Sequence, residues 1–416
     1  MGERTVLRNA KVLTCTDGTD EVPFDGDVLV DGDRIAEVGR GRLAVDEAAV
    51  RVVDVRGATV MPALADCHVH TSWPLDFVFD HGAEAAAPPA AHALDLAAVA
   101  RTFVESGYTL VVGAGVLQPD DDLLLKGAID DGLLPGPRIV PSGLMIADAH
   151  GLGADGGLME VAADAGQLRE IVARQCDGGV KALKLFVSGD GVVPEHPSED
   201  VYMDDEMLTA AVAEADRHGA FLTAHARSAP SVAMAARTGV KVVHHACFLD
   251  DEAIAALEAR GDDVWVCPGL HYLWAVVQGH AEPWGITAEQ VEASGYPREL
   301  EAQVEGLARL RDAGVPIVAG GDFGHQWTHH GTYAAELQRY VELVGMTPVE
   351  AIHTATRNVG PLVGLDWGEV RPGALADLLV VDGDPTVDVA VLQDPARRVA
   401  VLKDGAVAHL DPAWWL

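Results

Sequence analysis

Cysteine is scarce in this chain and shows no pattern. Cys15, Cys67, Cys176, Cys247 and Cys267 are scattered over 416 residues without C-x-x-C or any paired spacing. An odd, dispersed set in a long chain fits reduced thiols and argues against a disulfide framework. Cys67, Cys247 and Cys267 lie in strand-like runs and read as small core residues. No run of about 18 or more uninterrupted apolar residues occurs, which excludes a spanning helix of the usual kind. The opening MGERTVLRNAKVLTC lacks a charged segment followed by a long apolar one, so a soluble, cytoplasmic protein is expected. Basic residues are few: 29 Lys plus Arg against 64 Asp plus Glu leave a formal charge of −35. That balance argues against nucleic acid or an anionic membrane as partner and says little about substrate. No solenoid-type repeat and no low-complexity linker is present.

What is there is enough apolar residue, 49% of the chain, to bury a full barrel core and leave material for a smaller domain. The first 60 residues alternate β-rich runs with turns, and Asp-Gly pairs at Asp17-Gly18 and Asp31-Gly32 mark hairpins. The last 50 have the same texture, with strands expected at VRPG and ADLLVVD. Between them, short apolar runs alternate with helix-like stretches, the pattern of βα units on a parallel sheet. Candidate strands are 61–67, 108–114, 138–142, 180–187, 220–226, 241–246, 263–268 and 315–321. Stretches such as AGQLREIVARQC and DDEMLTAAVAEADRH carry apolar residues at helical spacing, several opened by Asp or Ser. The expected fold is α/β: a (β/α)8 TIM barrel over 61–365, beside a small discontinuous β-sandwich domain built from 1–60 plus 366–416. The Ala/Pro-rich segment 84–93 reads as a loop over the barrel rim.

Metal-binding residue types stand where these apolar runs end, the place where a parallel barrel builds its active site. His68 and His70 follow the first run, and a period of 2 sends both imidazoles to one face. His225, His245 and Asp322 end later runs. His244 competes with His245, because neighbours point to opposite sides of a strand and the register is open; His245, before small Ala246, is preferred. Lys181 and Lys184 also point to opposite faces, and Lys184 lies nearer the carboxyl end. A buried lysine loses its proton readily, and the free amine can add carbon dioxide to give a carbamate able to bridge two ions.

Taken together, PALADCHVH, LKLFVSG, TAHARS, VVHHAC, AGGDFG and RPGALADLLVVDGDP resemble the strand signatures and C-terminal β-domain of metal-dependent amidohydrolases of the urease superfamily. The nearest resemblance is to the branch of prolidase-like Xaa-dipeptidases, ochratoxin-type amidases, phenylurea hydrolases and imidazolonepropionase-like proteins. It rests on VSGDGVVPEHPSEDVYMDDEML and HHGTYAAELQRYVELVGMTPVEAIHTATRN. Four positions depart from the pattern: Ala63 and Ala65 replace a usual glycine and isoleucine, Asp190 a usual glycine, and His244 a usual acidic residue.

The resemblance implies two divalent metal ions, zinc by preference, held by His68, His70, Asp322, His225 and His245, with carboxylated Lys184 between them. A bridging hydroxide would attack the carbonyl of an amide-type C–N bond in a dipeptide, N-acyl amino acid, urea or carbamate. Asp322 would take the hydroxide proton and deliver it to the leaving nitrogen. Tyr272 and His271 are candidate oxyanion donors. Arg227, His325, His330 and Tyr202 are candidate substrate contacts, and Trp73, Trp274, Trp284 and Trp327 candidate pocket walls. The competing readings are a mononuclear deaminase or cyclic amide hydrolase, and, more remotely, an inactive binding protein on the same fold. The expected partners are a small-molecule substrate and further copies of the chain in a homo-oligomer.

Overall fold

The computed structural model describes residues 4–16, 18–75, 88–154, 159–191, 193 and 195–414. β1 (Arg4–Val12), β2 (Phe24–Asp31) and β3 (Arg34–Arg40) pair antiparallel in succession. The β2–β3 hairpin turns at Gly32, whose φ of 63° suits glycine. Asp17, of the other expected hairpin, lies outside the described residues. β4 (Arg51–Asp54) and β5 (Thr59–Pro62) lie parallel to β1.

Next come parallel strands. β6 (Leu64–Val69), β7 (Tyr108–Gly113) and β8 (Arg138–Val140) form one sheet. β9 (Met145–Asp148), β10 (Met159–Ala162), β11 (Ala182–Phe186), β12 (Phe221–Ala226), β13 (Val242–His245) and β14 (Trp265–Cys267) form a second, in the order β10-β9-β11-β12-β13-β14. A parallel bridge from Ser142 to Ala182 links the two sheets. Bridges Val266–Ile317 and Val69–Phe323 set the 315–323 segment between β14 and β6. That segment was expected as a full strand over 315–321; among the described residues it pairs only through these isolated bridges. β9 and β10 were not anticipated, since four-residue runs are too short to register as periodicity.

Parallel neighbours require crossovers, and helices supply them. Asp164, Asp204 and Asp250 accept hydrogen bonds from the backbone N–H of Gln167, Met207 and Ala253, fixing where the helices Ala165–Gly178, Asp205–Arg217 and Asp251–Glu258 begin. The helix Pro89–Glu105 takes up much of the supposed 84–93 loop; residues 84–87 lie outside the described residues. Two prolines at a helix start are compatible with helix because the first N–H groups have no partner to lose.

β15 (Leu378–Val381), β16 (Arg398–Lys403) and β17 (Ala406–Leu410) then return to the first sheet, β15 pairing antiparallel with β5. The result is one eight-stranded sheet drawn from both ends of the chain. Val12, Val28, Val60, Val380 and Leu402 share a core there. VRPG at 370–373 is not a strand; its proline offers no N–H to a ladder.

Candidate metal centre

His68 ends β6 and His70 follows it, on one face as the alternation requires. What brings Asp322 to them is a close backbone approach at Gly320, where a Cβ would lie 2.5 Å from both the His68 nitrogen and Cys267 Sγ. Asp322 Oδ1 then stands 3.3 Å from His68 Nε2 and 3.1 Å from His70 Nε2. Asp322 and His245 occupy the left-handed region, at φ 56° and 69°. Such backbone costs about 1–3 kcal/mol per residue and persists only where neighbours hold it. Here Asp322 N–H donates to the His68 carbonyl, Thr328 Oγ1 to the Asp322 carbonyl and Gln303 Nε2 to the His245 carbonyl.

The donor set fits a cation. His70 donates from Nδ1 to the Gly115 carbonyl at 3.2 Å, so a neutral ring turns a lone pair on Nε2 toward a carboxylate oxygen. Two acceptors 3.1 Å apart call for a positive charge between them. Donor atoms of His68, His70 and Asp322 all lie within 4.8 Å of one another. Nε2 of His245 is buried without a hydrogen-bond partner among the described residues.

Lys184 lies beneath this group, 3% exposed, with Nζ 3.0 Å from His68 Nε2 and 2.5 Å from His244 Nδ1. Burial lowers its pKa to about 7, against the pull of Asp322. Lys181 points outward and donates to the His218 carbonyl. His244 stacks on His68, with centroids 3.8 Å apart, whereas His245 joins His225 on the pocket wall. Burial drives His68, His244 and His245 well below the usual imidazole range and His225 to about 3. Burial alone would raise Asp322; His68, His325 and His70 outweigh it and hold the carboxyl well below its ordinary value. Neutral imidazoles, a carboxylate and a readily freed amine are the protonation states a metal needs. His68, His244 and Cys267 also cluster, but burial keeps that thiol protonated and a poor ligand.

These side chains open into a cavity of 580 Å³. Trp73 stacks on His70 with centroids 3.9 Å apart, and Phe186 on His225 at 4.7 Å. Tyr272 and His325 share the wall, 4.9 Å between rings, and burial pushes the Tyr272 phenol well above its usual range, so it remains a donor.

Several expected contacts fall elsewhere. His271 is buried between Trp274 and Phe323, off the pocket lining, because the helix Leu270–Val277 turns it away while presenting Tyr272. Arg227, the candidate partner of a substrate carboxylate, is paired with two carboxylates of the chain: Nη1 is 2.6 Å from Glu299 and Nη2 2.8 Å from Asp190. His330 is tied to the Tyr333 hydroxyl and the Trp73 carbonyl. Tyr202 stands one layer back, its hydroxyl 2.8 Å from Nδ1 of His196, which does line the cavity. Of the four tryptophans only Trp73 is on the wall; Trp327 packs on Tyr272, and Trp274 lies under Arg339. Met145, Met159 and Asp190 line the cavity unforeseen, the methionines because β9 and β10 themselves were missed. Asp190 had one signal, its departure from the glycine of the resembling family.

A family model described as the amidohydrolase family matches residues 59–408. The chain belongs to the amidohydrolase family. This amidohydrolase is 27% identical over 383 residues to ochratoxinase of Aspergillus niger, covering 84% of this chain and 75% of that one. It is 26% identical over 432 residues to imidazolonepropionase of Cereibacter sphaeroides, covering 96% and 99%. A solved prolidase complexed with N-methylphosphonate-L-proline superposes with a TM-score of 0.85 at 28% identity, covering 98% of this amidohydrolase and all of that chain. Its homologues are hydrolytic enzymes acting on C–N bonds. No helix among the described residues is long and apolar enough to cross a membrane.

Proposed function

We propose that this amidohydrolase is a binuclear metal-dependent hydrolase cleaving an amide-type C–N bond in a small molecule. The observation that carries the reading is Lys184: a buried, readily deprotonated amine set among His68, His244 and Asp322 has no structural need there that an apolar side chain would not meet better. Carboxylated, it would lie between one ion held by His68, His70 and Asp322 and another held by His225 and His245. Bound there, a pair of divalent ions, zinc being our choice, would lower the pKa of a shared water and polarise the substrate carbonyl.

The chain's own residues do the rest. The Asp322 carboxylate accepts the proton of the attacking water and returns it to the leaving nitrogen. The Tyr272 hydroxyl, kept protonated by burial, donates to the oxyanion as it forms. Trp73 and Phe186 hold His70 and His225 in place by stacking and exclude water from the carbonyl. His325, 3.6 Å from Asp322, steadies the carboxylate between its two roles.

The same reading takes the parallel strands and their bridges as a closed (β/α)8 barrel, and the eight-stranded sheet as a sandwich folded from both termini. It takes the protein as a cytoplasmic homo-oligomer acting on a small molecule. A mononuclear enzyme is the second reading, favoured by how compactly His68, His70 and Asp322 sit. Metal content per chain, with the mass of Lys184-containing peptides under non-acidic conditions and a screen of amides and ureas, separates the two. About two equivalents with a carboxylated lysine and amine release support the binuclear enzyme; one equivalent with an unmodified lysine sinks it.

A further inference from the structure

We propose that the pocket selects substrates without a free carboxylate: uncharged amides, ureas or carbamates whose apolar group rests on Trp73, Met145, Met159 and Phe186. The inference deepens the hydrolase reading and rests on it. Every one of the 29 lysines and arginines of the chain is a described residue, and of these only Lys184 lines the cavity. Arg227, two residues beyond His225 and 1% exposed, is the guanidinium most naturally expected to meet a substrate carboxylate.

Both of its ends are taken by carboxylates, Glu299 at 2.6 Å and Asp190 at 2.8 Å. Those acids are themselves held, Asp190 by the Tyr296 hydroxyl and Glu299 by Ser198 Oγ at 2.7 Å. The network is closed. Asp190 and the exposed Glu195 also line the cavity, so an approaching anion meets charge of its own sign. The imidazole of His196 is engaged on its far side, Nδ1 lying 2.8 Å from the Tyr202 hydroxyl, which donates to Asp200 at 3.4 Å. Among the described residues no arginine and no lysine other than Lys184 lines this space to meet a carboxylate taken from water, and burial without such a partner is unfavourable. The lining also includes Trp73, Met145, Met159 and Phe186, apolar and aromatic surface that suits a neutral group.

The test is calorimetric binding of a matched pair, N-acetyl-L-phenylalaninamide and N-acetyl-L-phenylalanine, to the full-length protein as purified, with amine release assayed separately on the same samples. The amide is expected to bind at least about tenfold more tightly than the acid. Equal or tighter binding of the acid, or no binding of either, overturns the inference. Preferential binding of the amide without amine release leaves the pocket's preference standing and counts against the hydrolase reading instead. Asp190→Gly frees one end of Arg227 and Asp190→Asn removes the charge while keeping the side-chain size. In whichever variant folds, the gap is expected to narrow by about threefold or more, and an unchanged gap overturns the role given to Asp190.

Discussion

Nζ of Lys184 lies 2.5 Å from Nδ1 of His244, on the side of the lysine away from the cavity. His244 also stacks on His68 with an interplanar angle of 12°, so one ring orients both a candidate ligand and the candidate bridge. Where the resembling family carries an acid, this chain has an imidazole that burial keeps neutral. Its partner is therefore held by a hydrogen bond and not by an opposite charge.

Lys184→Ala is expected to reduce bound metal from about two per chain to one or fewer and to lower kcat/KM by about a hundredfold or more, some 3 kcal/mol of transition-state stabilisation. Elemental analysis of dialysed protein and steady-state kinetics check it. Full activity with unchanged metal would eliminate the bridging role.

His244→Ala removes no proposed ligand, yet it frees Lys184 and the His68 ring. Metal affinity should fall by about 10–100-fold, the range seen when groups orienting a ligand are lost. Competition with a chromophoric chelator measures it, and wild-type affinity in the variant would show that His244 is only packing.

Arg227→Met leaves Asp190 and Glu299 facing each other in a buried site without their cation. The expected cost is about 3–5 kcal/mol, the penalty of breaking a buried pair from one side. Urea denaturation reads it; a loss below about 1 kcal/mol would mean that water reaches the network.

Glu336 accepts from the backbone N–H of Leu270 and His271 at the start of the helix Leu270–Val277, but its complete burial outweighs those bonds and raises its pKa from 4.5 to about 7. Between those values the folded chain keeps a proton that the unfolded chain has released. This contribution to stability is full below pH 4.5 and is lost as pH rises through about 7. It amounts to roughly 3 kcal/mol. Glu336→Gln should flatten that part of the stability profile, as followed by denaturant titrations across the window; an unaltered slope would place its source elsewhere.

Much of the fold was legible because a strand buried on both faces must be a short apolar run, and crossover helices must show helical spacing between such runs. Seven of the eight expected parallel strands are strands here, and His68, His70, Lys184, His225, His245 and Asp322 do converge on one cavity. Position at a strand end was the informative signal, since strand direction fixes which end carries the site. That His245 and not His244 lines the cavity goes with a left-handed turn at His245 and Ala246 that the sequence does not display.

The sequence by itself determined which side chains gather at the cavity, because the alternation of a strand and the order of βα units are local rules written residue by residue. Only the tertiary structure decided what each remaining polar group faces. Arg227 stands two residues beyond His225 and His330 eight beyond Asp322, yet Arg227 is held by Glu299, 72 residues away, and His330 by the Trp73 carbonyl, 257 away. A charge on a loop is free or neutralised according to which distant carboxylate packs against it, and that depends on how whole elements meet. The gathering of these side chains at one cavity was thus readable along the chain, whereas the character of the pocket around them emerged only on folding.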